Sequence, residues 1–355
     1  MNNKIGNIEF ERSKIYEKLD YLPEPENYEG VLPWRVQQQI AATNGIQYVD
    51  RIGKLKNYPI YELPVEKVEA GLMLDIGNGW GRWLVAGSAK GYIPVGIDLR
   101  LEFCQAARQT LRNSALNGYT VVADLNEIPF KDNVFDLVWS FSVLQHTHKK
   151  RLLNCLNHIK RVLLCGGFSM LEFPNKNGVR NKVGPAKQFA SQADDYNSWV
   201  VRYYTIKEYK LIFNKIFGNF RFWNHSFLGI GVLKEDMKYV SFKNKILCGI
   251  SLMGSFISKM IRPLKNYSDS IYIKAFKTED QKPHEDIERF YEAHQQNPSD
   301  NLNIIHLLQC PISGMELRVS LDRSFVSTAD GLNKYPIIDD IPILIRSEII
   351  LEKSL

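Results

Sequence analysis

Short apolar runs of strand length alternate with helix-forming stretches through the chain between residues 72 and 175. Residues 72–76 and 92–97 are two such runs, and a third ends at Ala123. Two more follow at 135–144 and 168–173, with an amphipathic basic stretch between them. Runs this short and this apolar are typical of buried strands, and strands that alternate with helices favour a parallel sheet. The pattern therefore predicts an α/β fold.

A glycine-rich turn follows the first predicted strand. Gly77, Gly79 and Gly81 stand at every second position, and small and apolar residues of a predicted helix come directly after them. Glycine lets the chain turn sharply, and a helix N-terminus leaves backbone N–H groups free to meet a polar ligand. Asp98 ends the second strand, where an acid accepts hydrogen bonds from ribose hydroxyls in nucleotide-binding folds. The pattern predicts a nucleotide site, and the alternative is a tight turn beside a surface aspartate.

The acid that precedes the glycines narrows the choice of nucleotide. Dinucleotide sites use G-x-G-x-x-G before a pyrophosphate, whereas this chain has G-x-G-x-G preceded by Asp75. A carboxylate at that place repels a pyrophosphate and suits a ligand with an ammonium or sulfonium charge. The stretch LDIGNGWGR resembles the first motif of class I S-adenosylmethionine-dependent methyltransferases.

That resemblance continues through the next strands to about residue 175. It implies a Rossmann-like, seven-stranded methyltransferase sheet with helices on both faces, S-adenosylmethionine as cofactor, and no metal. The final two strands, near residues 219–232 and 268–277, form the family's closing hairpin with one antiparallel strand. The cofactor-binding residues that the resemblance implies are Asp75, Gly77, Asn78, Gly79, Gly81, Asp98, Leu99, Asp124, Leu125, Ser140 and Phe141.

The residues after strand four and strand five are the candidates for substrate contact. His146 follows strand four, where a neutral imidazole can take a proton, and a structural role for it stays open. An insertion at about 175–215 covers the substrate in this fold, which makes Tyr203 and Tyr204 candidate substrate contacts, with packing as the alternative. Trp199 and Arg202 belong to the same candidate set. Thr205 and Glu208 predict a capping box at the start of the next helix.

Segments outside the methyltransferase domain, residues 71–278, differ in composition. Residues 1–70 predict a helical extension that either caps the pocket or packs on the core. Residues 279–302 are polar and charged, which indicates a linker with one exposed helix. Residues 303–355 predict a small α+β module that resembles the zinc-ribbon-like activators of tRNA, rRNA and release-factor methyltransferases through LLQCP and YPIIDDIPILI.

The zinc ligands of that resemblance are missing. Cys310 stands where a first ligand belongs, but Ser313 holds the place of its partner and no downstream pair of cysteines follows. The sequence therefore predicts a module without zinc that docks on its own catalytic domain or on a partner.

An apolar block at about 243–265 has lysine or arginine at both edges. Its apolar part is shorter than the roughly twenty residues that span a bilayer. Two placements stay open: a lid or core helix over the pocket, and an interfacial helix in peripheral contact with a membrane.

Composition sets the remaining limits. The 355 residues carry a net charge of +6, which is too mild to indicate a nucleic-acid interface. Five cysteines without a C-x-x-C pair favour free thiols and a cytoplasmic location, either free or peripheral at a membrane.

The function predicted from these patterns is methyl transfer from S-adenosylmethionine to an oxygen or nitrogen. The acceptor is a small molecule, a glycan or a lipid-linked intermediate. An RNA or protein methyltransferase with a fused activator-like module is the alternative, and a non-catalytic S-adenosylmethionine-binding scaffold is the second.

Overall fold

The computed structural model describes residues 30–44, 48, 51–179, 201–227, 233–260, 262–279 and 281–345. Its helices are α1 Trp34–Asn44, α2 Arg82–Ser88, α3 Leu101–Asn113, α4 Lys149–Val162, α5 Ile206–Ile216, α6 Phe242–Met260 and α7 Asp286–Gln296. Its strands are β1 Gly71–Ile76, β2 Tyr92–Asp98, β3 Tyr119–Ala123, β4 Phe135–Ser140, β5 Leu163–Pro174, β6 Phe220–Ser226, β7 Ser270–Phe276, β8 Leu317–Val319, β9 Phe325–Thr328, β10 Lys334–Ile338 and β11 Ile341–Leu344. Thr205 and Glu208 form the predicted capping box at the start of α5.

The strands form one sheet in the order β6-β7-β5-β4-β1-β2-β3-β11-β10-β9-β8. Strands β1 to β5 pair in parallel, and β7 is antiparallel to both β5 and β6. This arrangement confirms the predicted α/β class and the closing hairpin. Because the carboxyl ends of parallel strands share one edge, the loops after β1, β2, β3 and β4 meet there.

Alternate residues of the central strands enter two different cores, one on each face of the sheet. Leu74 of β1 belongs to a core that α4 and α5 cover. Its neighbour Met73 points to the opposite core, where Val36 of α1 and Trp83 of α2 pack. This is the alternation that a strand imposes on its side chains. Helices therefore cover both faces, and the N-terminal segment packs on the second one.

The C-terminal strands continue the sheet of the methyltransferase fold. Ile343 of β11 pairs in parallel with Val122 of β3, and the Asn301 side chain bonds both backbone groups of Thr120, at 2.8 and 2.9 Å. Helix α7 was expected to be exposed, but Phe290 is fully buried and meets Tyr119 edge to face. An apolar residue at this position gives α7 a face that must be covered.

The thiol of Cys310 is surrounded by a hydroxyl group and a backbone N–H group. Its thiol lies 3.3 Å from the hydroxyl of Tyr335, and the Ser313 backbone N–H donates to its sulfur at 3.4 Å. Within the described ranges, no group of histidine, cysteine and acidic side chains is arranged to hold a metal ion. The zinc-ribbon resemblance and the predicted domain boundaries remain predictions.

We expect Phe290→Ala to destabilise the whole chain rather than a separate C-terminal unit, because Phe290 packs against the central sheet. Removal of a fully buried phenylalanine ring costs on the order of 3 kcal/mol of unfolding free energy. Urea unfolding followed by tryptophan fluorescence measures this, with the exposed Glu292→Ala on the same helix as control. Two transitions, of which only one moves in the variant, would contradict the expectation.

Candidate cofactor site

The glycine turn after β1 fits its surroundings too closely to carry side chains. Gly77 has φ +75°, and a Cβ atom there would lie 2.3 Å from Cγ2 of Val143. Gly81 has φ +91°, and a Cβ atom there would lie 3.0 Å from the backbone of Ala107. Both the left-handed backbone and the close contacts require glycine. The turn thereby lies against the loop after β4, and the start of α2 lies against α3.

Asp98 lies against the glycine turn. The backbone N–H of Gly79 donates to Oδ2 of Asp98 at 3.2 Å, and the N–H of Arg100 donates to Oδ1 at 3.2 Å. Burial raises the pKa of Asp98 to about 6, and these two hydrogen bonds oppose the rise. The carboxylate therefore sits at the carboxyl end of β2, beside the turn that would hold a nucleotide.

Asp75 is a buried acid without a hydrogen-bond partner among the described residues. Its side chain is 0% exposed, and neither carboxylate oxygen receives a hydrogen bond. Burial raises its pKa to about 8; the charge of Arg82 opposes this shift and the charge of Asp98 adds to it. Buried polar groups are nearly always paired in folded proteins, so a ligand that brings a positive charge or a hydrogen-bond donor would stabilise this acid.

Arg82 is the buried cation of this region, and sequence reasoning did not single it out. It follows Gly81 on α2, and its Nη1 donates to Oδ1 of Asn44 at 3.2 Å. Its guanidinium also lies over the rings of Phe141 and Trp83, at 4.9 and 5.4 Å from their centroids. Its place directly after the glycines, in an otherwise apolar helix, is the signal that could have identified it.

Two further buried acids share the field of Arg82. Glu172 of β5 accepts hydrogen bonds from the backbone N–H and the hydroxyl of Ser142, at 3.1 and 3.0 Å. Asp236 accepts from the hydroxyls of Tyr48, at 2.6 Å, and of Tyr61. Burial raises the pKa of both carboxyls, and the charge of Arg82 lowers both. Together with Asp75, three buried carboxyl groups thus face one guanidinium.

Aromatic side chains pack together next to the end of strand four, and we name them the aromatic wall. Phe141 packs against the rings of Trp83, His225 and Tyr272, with centroids 5.2, 5.3 and 6.2 Å apart. Tyr272 of β7 is paired across the sheet with Glu172. The wall therefore joins the predicted cofactor residue Phe141 to the buried acid on β5.

The other predicted cofactor residues lie along the same edge of the sheet. The hydroxyl of Ser140 donates to the carbonyl of Ile76 at 3.1 Å, and the side chain of Asn78 donates to the carbonyl of Gly79 at 2.8 Å. Asp124 forms a local turn, in which Oδ1 accepts from the backbone and side chain of Asn126. Leu99 and Leu125 are half-buried after β2 and β3. Their roles toward a cofactor remain predictions.

The predicted substrate residues differ in burial and contacts in the structure. Arg202 is buried and donates to the carbonyls of Gln145 and His146, so it holds the turn that carries His146. Tyr204 packs edge to face on Tyr209, whereas Tyr203 is half-buried. Burial favours packing as the role of Tyr204. Trp199 and most of the insertion lie outside the described residues.

Residues 73–167 match a family model described as a methyltransferase domain. An uncharacterized protein of Methanocaldococcus jannaschii is 31% identical over 108 residues, which are 30% of this chain and 43% of that protein. The match thus covers less than half of that relative. Residues 73–167 are therefore similar to a methyltransferase domain, and this segment includes the glycine turn and Asp98.

Solved structures show similarity at lower identity. An S-adenosylmethionine-dependent methyltransferase of Methanosarcina mazei matches 62% of this chain and 100% of its own, at 18% identity and a TM-score of 0.45. Phosphoethanolamine N-methyltransferase 2 of Haemonchus contortus, in complex with S-adenosylmethionine, matches 61% of this chain and 50% of its own, at 21% identity and a TM-score of 0.41.

The site residues fit this cofactor. Asp75 offers a buried carboxyl group that receives no hydrogen bond from the described residues, and Asp98 lies beside the glycine turn, where the resemblance implies the ribose acid. When bound, the cofactor supplies a methyl group on a positively charged sulfonium. A region with three buried carboxyl groups and only one guanidinium favours the binding of a cation.

We expect Asp75→Asn to make the cofactor-free protein more stable than wild type, by an amount that grows with pH. Asp75 has its pKa raised to about 8, so the folded state keeps a proton that the unfolded state releases above its ordinary pKa. The free energy of unfolding of the wild type therefore falls as pH rises from the ordinary pKa of aspartate to about 8, by on the order of 1 kcal/mol per pH unit. The asparagine variant lacks this loss.

Chemical unfolding at a series of pH values up to about 8 measures the difference between the two proteins. Asp132→Asn is the control, because Asp132 is exposed and pairs with Arg161 at the surface. A constant difference between Asp75→Asn and wild type would show that Asp75 is ionised in the folded protein.

Proposed function

We propose that the protein transfers the methyl group of S-adenosylmethionine to an oxygen or nitrogen of a small molecule, a glycan or a lipid-linked intermediate. The observation that carries this proposal is the buried Asp75 carboxyl group, which receives no hydrogen bond from the described residues and lies next to the glycine turn and Asp98. Such a group costs stability in the free protein, and a cationic ligand beside it would offset that cost.

Methyl transfer depends mainly on the positioning of the acceptor. In methyl transfer the bond between sulfur and the methyl carbon breaks as the bond from that carbon to the acceptor atom forms. The sulfonium is already a good leaving group, so correct placement of the acceptor supplies much of the acceleration. The acceptor's proton leaves to a base, and His146 is the candidate, in a turn that the buried Arg202 holds in place.

The buried, aromatic character of the site supports a small acceptor group. Phe141, Tyr272 and His225 form a wall beside the cofactor residues, and Glu172 ends it with a carboxyl group held by Ser142. Surroundings of this kind, apolar with a few placed polar groups, are typical of sites for compact ligands. A buried acid beside the cofactor residues is unfavourable for a phosphate backbone, which weighs against RNA.

We expect Asp98→Ala to weaken binding of S-adenosylmethionine and S-adenosylhomocysteine at least tenfold. Both ligands carry the ribose, and loss of a hydrogen bond to a charged group costs about 1.5–3 kcal/mol. Titration calorimetry measures the affinity, and Asp132→Asn, a change to an exposed acid on another part of the surface, serves as control. If the wild type binds neither ligand, the enzyme proposal fails.

Methyl-labelled S-adenosylmethionine with cell extracts then tests the acceptor class. We expect label in the fraction of small molecules, glycans or lipids, and at least tenfold less with Asp98→Ala. Label only in RNA or protein would replace this acceptor class by the alternative one. Cofactor binding without label in any fraction would favour the non-catalytic scaffold.

A further inference from the structure

Helix α6 carries its large apolar side chains on the outside. Phe242, Ile246, Ile250, Met253, Phe256, Ile257 and Met260 are between 42% and 80% exposed. At about 100° per residue, these seven positions fall within an arc of about 120° on the helix. They form one continuous stripe, which we name the outer face of α6. A stripe of this size is unusual on a surface that meets only water.

The inner face of the same helix is made of small and polar residues. Cys248 and Ser251 are buried, and the hydroxyl of Ser255 accepts a hydrogen bond from the backbone N–H of Phe227, at 2.9 Å. A helix that only packs on its own protein turns its bulky apolar residues inward. Here the large apolar residues point outward instead, so the outer face suits an apolar surface that the described residues do not supply.

The charged residues in the segment that carries the stripe, residues 237–268, are all basic. Residues 237–268 contain six lysines and arginines and no aspartate or glutamate, with the basic residues toward the two ends of α6. Lys245, in the first turns of the helix, is exposed. An exposed apolar stripe with basic residues at its ends matches an anionic bilayer surface, where apolar side chains enter the headgroup region and cations meet lipid phosphates.

A spanning arrangement does not fit the helix. Among the helices that the structure describes, none has both the length and the apolar character needed to cross a bilayer. The inner face of α6 also remains bound to the sheet through Phe227 at the end of β6. The outer face can therefore lie along a surface while the inner face stays packed.

We infer that the outer face of α6 docks the protein on an anionic lipid bilayer. The inference does not rest on the proposed methyl transfer, because binding to a surface needs neither cofactor nor acceptor. It has a consequence for the same site, however: α6 packs on β6, the strand that carries His225 of the aromatic wall. Docking through α6 would place that side of the sheet close to lipid headgroups.

Vesicle flotation with the full chain tests the inference. We expect the wild type to float with vesicles of phosphatidylcholine and phosphatidylglycerol, at least tenfold more than with phosphatidylcholine alone, and less at high salt. The double change Met253→Ser and Phe256→Ser should reduce flotation at least tenfold. Lys245→Glu should reduce it several-fold, whereas Leu332→Ser, at a leucine elsewhere that is 82% exposed, should leave it unchanged.

Binding of S-adenosylmethionine and thermal melting check that each variant is folded, and all changed side chains are exposed. No flotation of the folded wild type would overturn the inference, as would equal flotation with both vesicle types. A wild-type dimer that the double change converts to a monomer, without vesicle binding, would assign the outer face to a second copy of the chain instead.

Discussion

The buried guanidinium of Arg82 is the interaction on which the site and its surroundings depend. A charge removed from water must be compensated by opposite charges, hydrogen bonds or aromatic faces, and Arg82 has a hydrogen bond, aromatic rings and the electrostatic attraction of buried carboxyl groups. Asn44 from the N-terminal helix accepts its hydrogen bond, Phe141 from the end of β4 lies under it, and the carboxyls of Asp75, Glu172 and Asp236 share its field. Segments far apart in the chain are thereby joined at the edge of the sheet where the glycine turn lies.

The balance of these charges connects the fold to its chemistry. Arg82 can neutralise one carboxylate, and the burial of three raises the pKa of each. Hydroxyl and amide groups donate hydrogen bonds to Glu172 and Asp236, while Asp75 receives no hydrogen bond from the described residues. Of these three acids, Asp75 is therefore the least compensated, and it directly precedes the glycine turn. This is where a sulfonium ligand would be most stabilising.

Local patterns predicted the parts of the structure that depend on neighbours in sequence. The glycine turn, Asp98 at the end of β2 and the capping box at Thr205 are of this kind. The family resemblance added the closing hairpin with one antiparallel strand. The buried network was missed because its contacts are distant: Asp236 and Tyr61 are 175 positions apart. Pairing of β11 with β3 could not be predicted for the same reason.

The proton balance of cofactor binding tests the central claim most directly. Calorimetry with S-adenosylmethionine near neutral pH, in buffers of different ionisation enthalpy, counts the protons released when the ligand binds. If Asp75 is protonated in the free protein and ionises beside the sulfonium, binding releases protons, and S-adenosylhomocysteine, which lacks the sulfonium, releases fewer. Asp75→Asn should abolish the difference between the two ligands. Binding without proton release in the wild type would contradict the account.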